Sequence, residues 1–302
     1  MQRFPLVSIV TPAYNQAEYL AETIDSVLAQ DYPSIEYIVL DDGSTDSTPE
    51  ILRRYDGRIR WERHDNMGQA CTLNKGWLMS HGSVIGYLSS DDRLLPDAVT
   101  TLVNTLQANP QAVVAYCDFA LIDGAGHTIK TVMTEDFSRH RLTQDIICQP
   151  GPGALFQRHL IDTVGGWNQN LRQIPDYEFW LRAASVGDFV RVRKILAQFR
   201  IHEGSSSFRP VSPERSMEIV QTMIDYWGND RTLAAKKSMA RANIIASRSH
   251  AQSGRPIQSL KRLIFALCVH PQSTLCLKAL VPIASGMLRR AYYKIVHKTK
   301  SS

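Results

Sequence analysis

The sequence predicts an α/β protein whose mostly parallel central sheet is flanked by helices, with a helical extension at the C-terminus. Over the first half of the chain, short β-rich apolar runs alternate with segments that carry apolar residues at helical spacing. This alternation is typical of a parallel sheet covered on both faces. After about residue 213 the strand-like runs stop, and the remaining pattern is helical and rich in Lys and Arg.

The chain opens with a predicted strand followed by a predicted helix. The run “LVSIVT”, residues 6–11, is continuously β-rich, as expected of a strand buried on both faces. The next segment, residues 17–30, brings Leu20, Ile24 and Val27 onto one helix face, with polar residues between them.

The later elements continue this alternation. Strands are predicted at “IEYIVLDD”, “RIRWERH”, “SVIGYLSS” and “QAVVAYCDFALID”, and helices at “STDSTPEILRRY”, “GQACTLNKGWLMSHG” and “PDAVTTLVNTLQAN”. Beyond about residue 137, short helices at “HLIDTVGGWN” and “PDYEFWLRAASVG” precede a strand at “DFVRVRKILAQFRIH”. No internal repeat and no low-complexity segment interrupts the chain.

Three short segments follow predicted strands and are the first places to look for a ligand. Sheets of this kind bind ligands beyond the carboxyl ends of their strands. The rule selects Thr11–Asn15 after the first strand, Asp41–Ser44 after the second and Asp91–Asp92 after the fourth.

The adjacent carboxylates of Asp91 and Asp92 are the most unusual of these features. Carboxylates this close repel each other and raise one another's pKa unless a positive charge lies between them. A cap for the helix that starts near Pro96 explains one of them, whereas a bound metal ion explains both.

Charge divides the chain into two parts. The net charge of the 302 residues is +5, but residues 1–212 hold 19 Lys and Arg against 25 Asp and Glu, while residues 213–302 hold 15 against 4. We therefore predict a globular domain over 1–212 and a separate basic helical region over 213–302.

Cysteine usage and hydropathy indicate a cytoplasmic protein. The five cysteines are scattered without a C-x-x-C pair, which favours a reducing compartment over a disulfide framework or a zinc site. The N-terminal apolar run is too short for a signal peptide, and no stretch approaches the roughly 20 apolar residues that span a bilayer.

Two nucleotide-binding classes are excluded by their missing glycines. A dinucleotide fold needs G-x-G-x-x-G at the first strand-to-helix turn, where this chain has “TPAYNQAEYL”. A P-loop needs G-x-x-x-x-G-K-[ST], which is absent from the sequence.

Several segments together resemble family 2 glycosyltransferases, whose nucleotide-sugar-binding fold is called GT-A. They are “VSIVTPAYNQAEYLAETIDSVLAQDYPSIEYIVLDDGSTDST”, “NMGQACTLNKGWLMSHGSVIGYLSSDD”, “VGGWN”, “DYEFWLRAA” and “FRIHEGSSS”. They occur in the family's order and cover about residues 6–207. The resemblance makes 1–212 a GT-A catalytic domain and implies transfer of a sugar from a nucleotide-diphosphate donor, with inversion at the anomeric carbon and a divalent metal.

The resemblance implies a metal and diphosphate site around “LSSDD” and “FRIH”. Asp92 corresponds to the ligand of Mn²⁺ or Mg²⁺, and Asp91 to a contact with the ribose or the sugar. His202 would approach the metal or the diphosphate, with Arg200 as a phosphate partner; an isolated histidine is as often structural. A hard divalent ion with oxygen ligands suits the charge of a leaving diphosphate.

The resemblance also implies a nucleobase site near the first two strands. Asp42 would accept a hydrogen bond from a ring N–H of the base, while Thr11, Pro12 and Tyr14 would line the same pocket. A carboxylate acceptor gives a charge-assisted and selective hydrogen bond. The alternative for Asp42 is an Asx turn, since D-G is a strong turn signal.

A third segment, “NMGQ”, is similar to the family's approach to the nucleotide. It would bring Asn66, Gly68 and Gln69 to the donor, with Gly68 permitting close contact by the backbone. A plain boundary between a loop and a helix is the alternative.

The candidate base lies in “PDYEFW”. The resemblance assigns to Asp176 the carboxylate that takes the proton of the acceptor hydroxyl. On a helix Glu178 would point elsewhere, because two residues turn it by about 200°. The family often has Glu-Asp where this chain has Pro175-Asp176, and an N-cap role is the alternative for Asp176.

Two tryptophans and the basic tail leave alternatives open. Trp167 and Trp180 suit an acceptor platform or the core. Residues 255–300 suit a helix on an anionic membrane surface or a packing unit with a solvated basic face. Nucleic-acid binding is not expected, since no reading motif accompanies the basic residues.

The predicted function is transfer of a single sugar from a UDP-, GDP- or dTDP-sugar to a saccharide or lipid-linked acceptor, in cell-surface polysaccharide or glycolipid synthesis. Two alternatives are a catalytically silent module that binds nucleotide sugars or glycans, and a sugar nucleotidyltransferase. The second should carry a glycine-rich basic loop after the first strand, where the chain has “TPAYNQ”. Membrane contact would place the protein peripherally on the inner face of the membrane.

Overall fold

The computed structural model describes residues 4–202 and 210–272. The chain forms two compact units, one of residues 1–138 with 148–205 and one of residues 139–147 with 206–302. The change of charge at residue 212 does not predict that residues 139–147 belong to the second unit. The division into domains at that residue stays a prediction, and the helical pattern expected beyond residue 272 lies outside the described residues.

The first unit is a single sheet flanked by helices. Its strands are β1 (Val7–Ala13), β2 (Ile35–Asp41), β3 (Arg60–Arg63), β4 (Val84–Tyr87), β5 (Arg93–Leu94), β6 (Ala112–Ile122), β7 (Thr128–Val132), β8 (Leu155–Gln157) and β9 (Asp188–Arg200). Its helices are α1 (Leu20–Leu28), α2 (Thr48–Arg53), α3 (Gln69–Met79), α4 (Ala98–Ala108), α5 (His159–Val164) and α6 (Pro175–Val186).

The strand order is β3-β2-β1-β4-β8-β6-β9-β5, and β7 pairs with β6. The pairs β3/β2, β2/β1, β1/β4 and β6/β9 are parallel, whereas β8 runs antiparallel to both β4 and β6. The predicted mostly parallel α/β sheet is confirmed. The antiparallel strands β5, β7 and β8 are not foreseen, since two of them are three residues or shorter and β7, “TIKTV”, is almost fully exposed.

The strand register brings the segments that are predicted to bind a ligand to one edge of the sheet. Ala13 of β1 lies opposite Asp41 of β2, and Val10 of β1 lies opposite Tyr87 of β4. The loops that follow these strands therefore leave the sheet side by side, as expected for parallel strands.

The core consists of the apolar faces of β1, β2 and β4 packed against α1 and α4. Every residue of β1 is buried, which agrees with its continuous apolar sequence. β8 reaches the middle of the sheet beside a glycine: a Cβ at Gly86 would lie 2.5 Å from Leu155 Cδ2. A side chain at position 86 would therefore require the Leu155 side chain to shift.

An ion pair joins β6 to β9 inside this unit. The fully buried carboxylate of Asp118 accepts hydrogen bonds from Arg191 Nη2 at 2.8 Å and from Thr134 N at 2.8 Å. Burial by itself would raise the pKa of Asp118, but the hydrogen bonds from Thr134 and Arg191 outweigh it and lower that pKa.

The second unit is helical. It comprises α7 (Pro213–Trp227), α8 (Leu233–Gln252) and α9 (Pro256–Val269), together with a π-helical turn at Arg141–Asp145. Two side chains of α8 hold that turn, since Ser238 Oγ donates to Thr143 O and Arg241 Nε to Asp145 O. Among the described helices, none combines the length and the apolar character needed to cross a membrane.

We predict that Asp118→Ala lowers the free energy of unfolding by about 3 kcal/mol, because it leaves a largely buried guanidinium without its buried partner, with only the exposed Asp136 nearby. The contribution of the carboxylate is present above its unfolded pKa and is lost as pH falls through the lowered folded pKa. The difference between wild type and variant should therefore shrink below about pH 4, as measured by urea denaturation across pH.

Asp136→Ala is the matched control. Asp136 also pairs with Arg191, at 3.7 Å, but its side chain is 64% exposed, and exposed pairs contribute less than about 1 kcal/mol. Equal losses in the two variants would contradict a special contribution of the buried pair.

Candidate active site

Asp92 ends the loop after β4 and is almost completely buried, with 2% of its surface exposed. Its Oδ1 accepts the backbone N–H of Arg200 at 2.9 Å, and its carbonyl oxygen accepts the hydroxyl of Thr23 at 2.8 Å. Burial raises the pKa of Asp92 well above its usual range, and the charge of Asp91 raises it further, against a smaller opposing effect of Arg200. The site therefore contains a desolvated carboxylate beside a second one.

Arg200, the last residue of β9, holds the loop of Asp91 and Asp92 in place. Its side chain is fully buried and donates to four acceptors: Asp91 O at 2.9 Å, Gly124 O at 2.9 Å, Asp123 O at 3.3 Å and Glu22 Oε2 at 2.7 Å. The guanidinium is thus occupied by protein. This corrects the expectation that Arg200 is a phosphate partner: it positions the Asp91–Asp92 loop.

His202 lies next to Asp91, as its predicted place near the metal motif requires. His202 Nε2 is 3.1 Å from Asp91 Oδ2. Its ring centroid lies 4.6 Å from that of Tyr19, and the Arg200 guanidinium carbon lies 4.7 Å from the same tyrosine ring. The imidazole is therefore held against the carboxylate pair, and its role as a metal ligand stays a prediction.

Asp176 lies in the first turn of α6 and is half-buried. Burial raises its pKa, although backbone N–H groups of the first turn, including that of Tyr177, act in the opposite direction. Glu178 binds Arg182 at 2.7 Å, so the helix separates the two acidic residues as expected.

One open cleft of about 260 Å³ contains both Asp92 and Asp176. Its lining residues are Tyr87, Ser89, Asp92, Phe119, Leu121, Val132, Pro150, Gly151, Pro152, Asp176 and Phe199. Asp92 comes from the β4 loop and Asp176 from α6, 84 positions later in the chain. The fold thus brings together the two carboxylates to which the resemblance assigns metal binding and proton transfer.

Asp42 does not line this cleft, and it organises the neighbouring loop. Its Oδ1 accepts Met67 N at 2.7 Å, its Oδ2 accepts Gly68 N at 2.9 Å, and Asn66 Nδ2 donates to its carbonyl oxygen at 3.0 Å. Gly68 has a φ of 88°, and a Cβ there would lie 1.6 Å from Arg172 Nη1. The two predicted nucleotide segments therefore form one structure, while base recognition by Asp42 stays a prediction.

The remaining predicted donor residues differ in exposure. Thr11 is fully buried, and its hydroxyl lies 3.0 Å from Tyr37 OH in the core. Pro12 is also buried, whereas Tyr14 is 47% exposed and Gln69 lies exposed at the start of α3. Of this group, Tyr14 and Gln69 have side chains that a nucleotide can reach without rearrangement.

The tryptophans belong to the core. Trp167 is 4% exposed and Trp180 is not exposed at all, so the acceptor-platform interpretation is wrong for both. The aromatic residues that line the cleft are instead Tyr87, Phe119 and Phe199, and of these Tyr87 alone carries a hydroxyl. Burial, and then the charge of Asp176, raise the pKa of Tyr87 well above its usual range, which keeps the phenol protonated. Its place at the end of β4, just before “LSSDD”, is the signal that could have identified it.

Comparisons with known proteins identify the family of this chain. The model of the family described as Glycosyl transferase family 2 matches residues 8–165. The chain belongs to that family. This family 2 glycosyltransferase is 32% identical over 212 residues to an uncharacterized glycosyltransferase of Rickettsia typhi, a match covering 67% of this chain and 66% of the relative. It is 29% identical over 234 residues to the chondroitin synthase of Escherichia coli, covering 76% of this chain and 34% of the synthase. The matches thus span less than two thirds of either relative.

Solved structures share the fold. S. aureus TarS 1–349 in complex with UDP-GlcNAc superposes with a TM-score of 0.66 at 17% identity, covering 96% of this chain and 92% of that one. The mannosyltransferase PcManGT from Pyrobaculum calidifontis, in complex with GDP-Man and Mn²⁺, gives 0.61 at 18% identity, covering 96% and 85%. The fold of this family 2 glycosyltransferase is GT-A, as predicted.

The Asp91–Asp92 pair fits a divalent ion that is bound together with a diphosphate. Within residues 4–202 and 210–272, no three His, Cys, Asp or Glu side chains gather into a ligand set. Mg²⁺-type ions commonly take one or two carboxylates and complete their shell with substrate phosphates and water. A cation here would also relieve the repulsion that raises the pKa of Asp92.

For this family 2 glycosyltransferase we predict that Arg200→Met raises the Mn²⁺ concentration for half-maximal activity about tenfold or more, since residues that orient metal ligands typically contribute 10–100-fold. Release of nucleoside diphosphate, titrated with Mn²⁺, measures this effect, and circular dichroism checks that the variant is folded.

Arg93→Met serves as the control. Arg93 binds the same Glu22 carboxylate, at 2.9 Å, but its side chain bonds neither Asp91 nor Asp92 in the described structure. If folded Arg200→Met reaches half-maximal activity at the same Mn²⁺ concentration as wild type, Arg200 does not position the Asp91–Asp92 pair.

Proposed function

We propose that this glycosyltransferase is an inverting, metal-dependent enzyme that moves one sugar from a nucleotide-diphosphate sugar to a saccharide or lipid-linked acceptor. The observation that carries the proposal is the shared cleft of Asp92 and Asp176. In this proposal Asp92 meets the cation and the diphosphate, and Asp176 meets the acceptor hydroxyl.

Asp176 is the general base in this mechanism. The acceptor hydroxyl gives its proton to the Asp176 carboxylate while its oxygen forms a bond to the anomeric carbon. The bond between that carbon and the diphosphate oxygen breaks on the opposite face, and its electron pair leaves with the nucleoside diphosphate. Attack opposite the leaving group inverts the anomeric configuration.

Asp92 and His202 would hold the metal ion, and Asp91 beside them would contact the ribose or the sugar. When bound, Mn²⁺ or Mg²⁺ supplies neutralisation of the charge that develops on the departing diphosphate. Arg200 keeps both aspartates in place from a buried position. Tyr87, a protonated phenol in the same cleft, can donate a hydrogen bond to a sugar or phosphate oxygen.

The donor would bind along the carboxyl edge of β1 and β2. Asp42 would read a ring N–H of the base, next to Thr11, Pro12 and Tyr14, and Asn66, Gly68 and Gln69 would approach the nucleotide. Binding of UDP-GlcNAc and GDP-Man by structures of the same fold supports a UDP-, GDP- or dTDP-sugar donor.

The acceptor would be a growing glycan or glycolipid of the cell surface. Similarity to a chondroitin synthase supports a role in polysaccharide synthesis. We place the protein in the cytoplasm, with contact to the inner face of the membrane through its basic C-terminal region, because a lipid-linked acceptor would be presented there.

We predict that Asp176→Asn reduces kcat by about 10²–10⁴-fold, the usual contribution of a positioned acid or base. Asp92→Ala removes a proposed metal ligand and should reduce activity by more than the roughly 10–100-fold typical of outer-shell partners of a metal. The measurement is release of nucleoside diphosphate from a panel of nucleotide sugars with Mn²⁺ and a glycolipid extract as acceptor. The anomeric configuration of the product, determined by NMR, tests inversion.

Asp97→Asn and Glu178→Gln are the matched controls, because both carboxylates form ion pairs outside the cleft. They should keep activity within about threefold. Donor binding without turnover would contradict the enzyme mechanism, and release of pyrophosphate from a nucleoside triphosphate and a sugar phosphate would indicate a nucleotidyltransferase.

The raised pKa of Asp176 predicts a particular pH profile. A base must be deprotonated, so kcat/KM should fall as pH decreases through an apparent pKa above the ordinary value of about 3.9 for Asp. The residual activity of Asp176→Asn should not show this fall in kcat/KM as the pH decreases. A fall that persists in the variant would assign the titration to another group. Thermal unfolding measured at each pH distinguishes either result from denaturation.

A further inference from the structure

The helix α9 has two faces of opposite character. Toward α8 it presents small side chains: Ser259 is 3% exposed and Ala266 is fully buried, and Ser247 Oγ of α8 donates to Ser259 O at 2.8 Å. Away from α8 it presents large apolar side chains, namely Ile257 (68% exposed), Leu260 (57%), Ile264 (51%), Phe265 (45%) and Leu267 (41%).

The exposed apolar residues form a continuous stripe. Ile257, Leu260, Ile264 and Leu267 follow one another at steps of three and four positions, which places them on one side of a helix. Helices of globular proteins normally turn such a stripe toward the core. Here the helix exposes larger apolar side chains than it buries, so the outward face of α9 requires a partner.

The charge of this part of the chain identifies the kind of partner. Residues 231–302 contain 14 Lys and Arg and no Asp or Glu. Lys261, which is exposed, lies on the same side of α9 as the stripe, four positions after Ile257. A lysine can lay its methylene chain along an apolar surface while its ammonium group reaches a polar layer.

We propose that the outward face of α9, defined by Ile257, Leu260, Ile264, Leu267 and Lys261, lies in the interface of an anionic phospholipid bilayer. The apolar stripe enters the boundary between headgroups and acyl chains, and the surrounding cations bind lipid phosphates. The reason for this contact rests on the proposed function, since a lipid-linked acceptor is met at the same surface. The binding itself needs neither donor nor metal.

Charge also argues against the other occupants of this face. A second copy docked through the same face would bring two α9 helices together, and α9 contains no carboxylate side chain to neutralise Lys261. Residues 273–302 carry six further Lys and Arg and no Asp or Glu, so they offer no acidic side chain to Lys261 either. Anionic lipid supplies both the apolar phase and the missing negative charge.

Flotation of the full chain with lipid vesicles tests this proposal. We expect binding to phosphatidylcholine vesicles that contain about 30 mol% phosphatidylglycerol, weak binding to phosphatidylcholine alone, and release by salt. The double variant Leu260→Asp with Ile264→Asp should lower the partition coefficient about tenfold or more, and Lys261→Glu should lower it on anionic vesicles specifically.

The matched control is Leu78→Asp with Ile129→Asp, which removes two apolar side chains exposed by 83% and 57% in the other unit. It should bind vesicles like wild type. Three results would overturn the proposal: no binding by wild type, equal loss in the control, or a dimer in sedimentation velocity that the α9 variant abolishes without any effect on vesicles. Transfer of the sugar to a soluble saccharide acceptor, followed without vesicles as release of nucleoside diphosphate, reports separately on the catalytic proposal.

Discussion

The buried guanidinium of Arg200 is the contact on which the site depends. Two neighbouring carboxylates, one of them removed from water, repel each other and would push their loop apart without a fixed positive group. Arg200 donates its backbone N–H to the Asp92 carboxylate and its side chain to the Asp91 carbonyl oxygen, and its positive charge acts to lower the pKa of Asp92. Because it lies at the end of β9, the carboxylate pair is tied to the far half of the sheet.

The two carboxylates of the cleft differ because their surroundings differ. Asp92 is enclosed and stands beside Asp91, an arrangement that a cation would stabilise. Asp176 lies in the first turn of α6, where backbone N–H groups favour the charged form and burial opposes it, while the neighbouring Glu178 is paired with Arg182. These different surroundings agree with the different roles proposed for the two aspartates.

Local pattern predicts much of this molecule, and contacts between distant segments account for what it misses. The apolar runs predict β1, β2 and β4, and the motifs select Asp92 and Asp176 as candidates, which the structure places in one cleft. The three-residue β8 carries no periodicity of its own, and it forms because two neighbours offer free edges. The role of Arg200 depends on partners about a hundred residues away, and the burial of Trp167 and Trp180 depends on tertiary packing, so neither can be read from spacing.

β8 joins the parallel β3-β2-β1-β4 part of the sheet to the mixed part that holds β6, β9, β5 and β7. The first part carries the loop that ends in Asp92, and the second carries Arg200; Leu155–Gln157 are the strand between them. At this junction a Cβ on Gly86 would lie 2.5 Å from Leu155 Cδ2, so the two parts meet in close contact. A substitution that widened the junction would strain the loop that runs from β4 to β5 and carries Asp91 and Asp92, although no residue of that loop is altered.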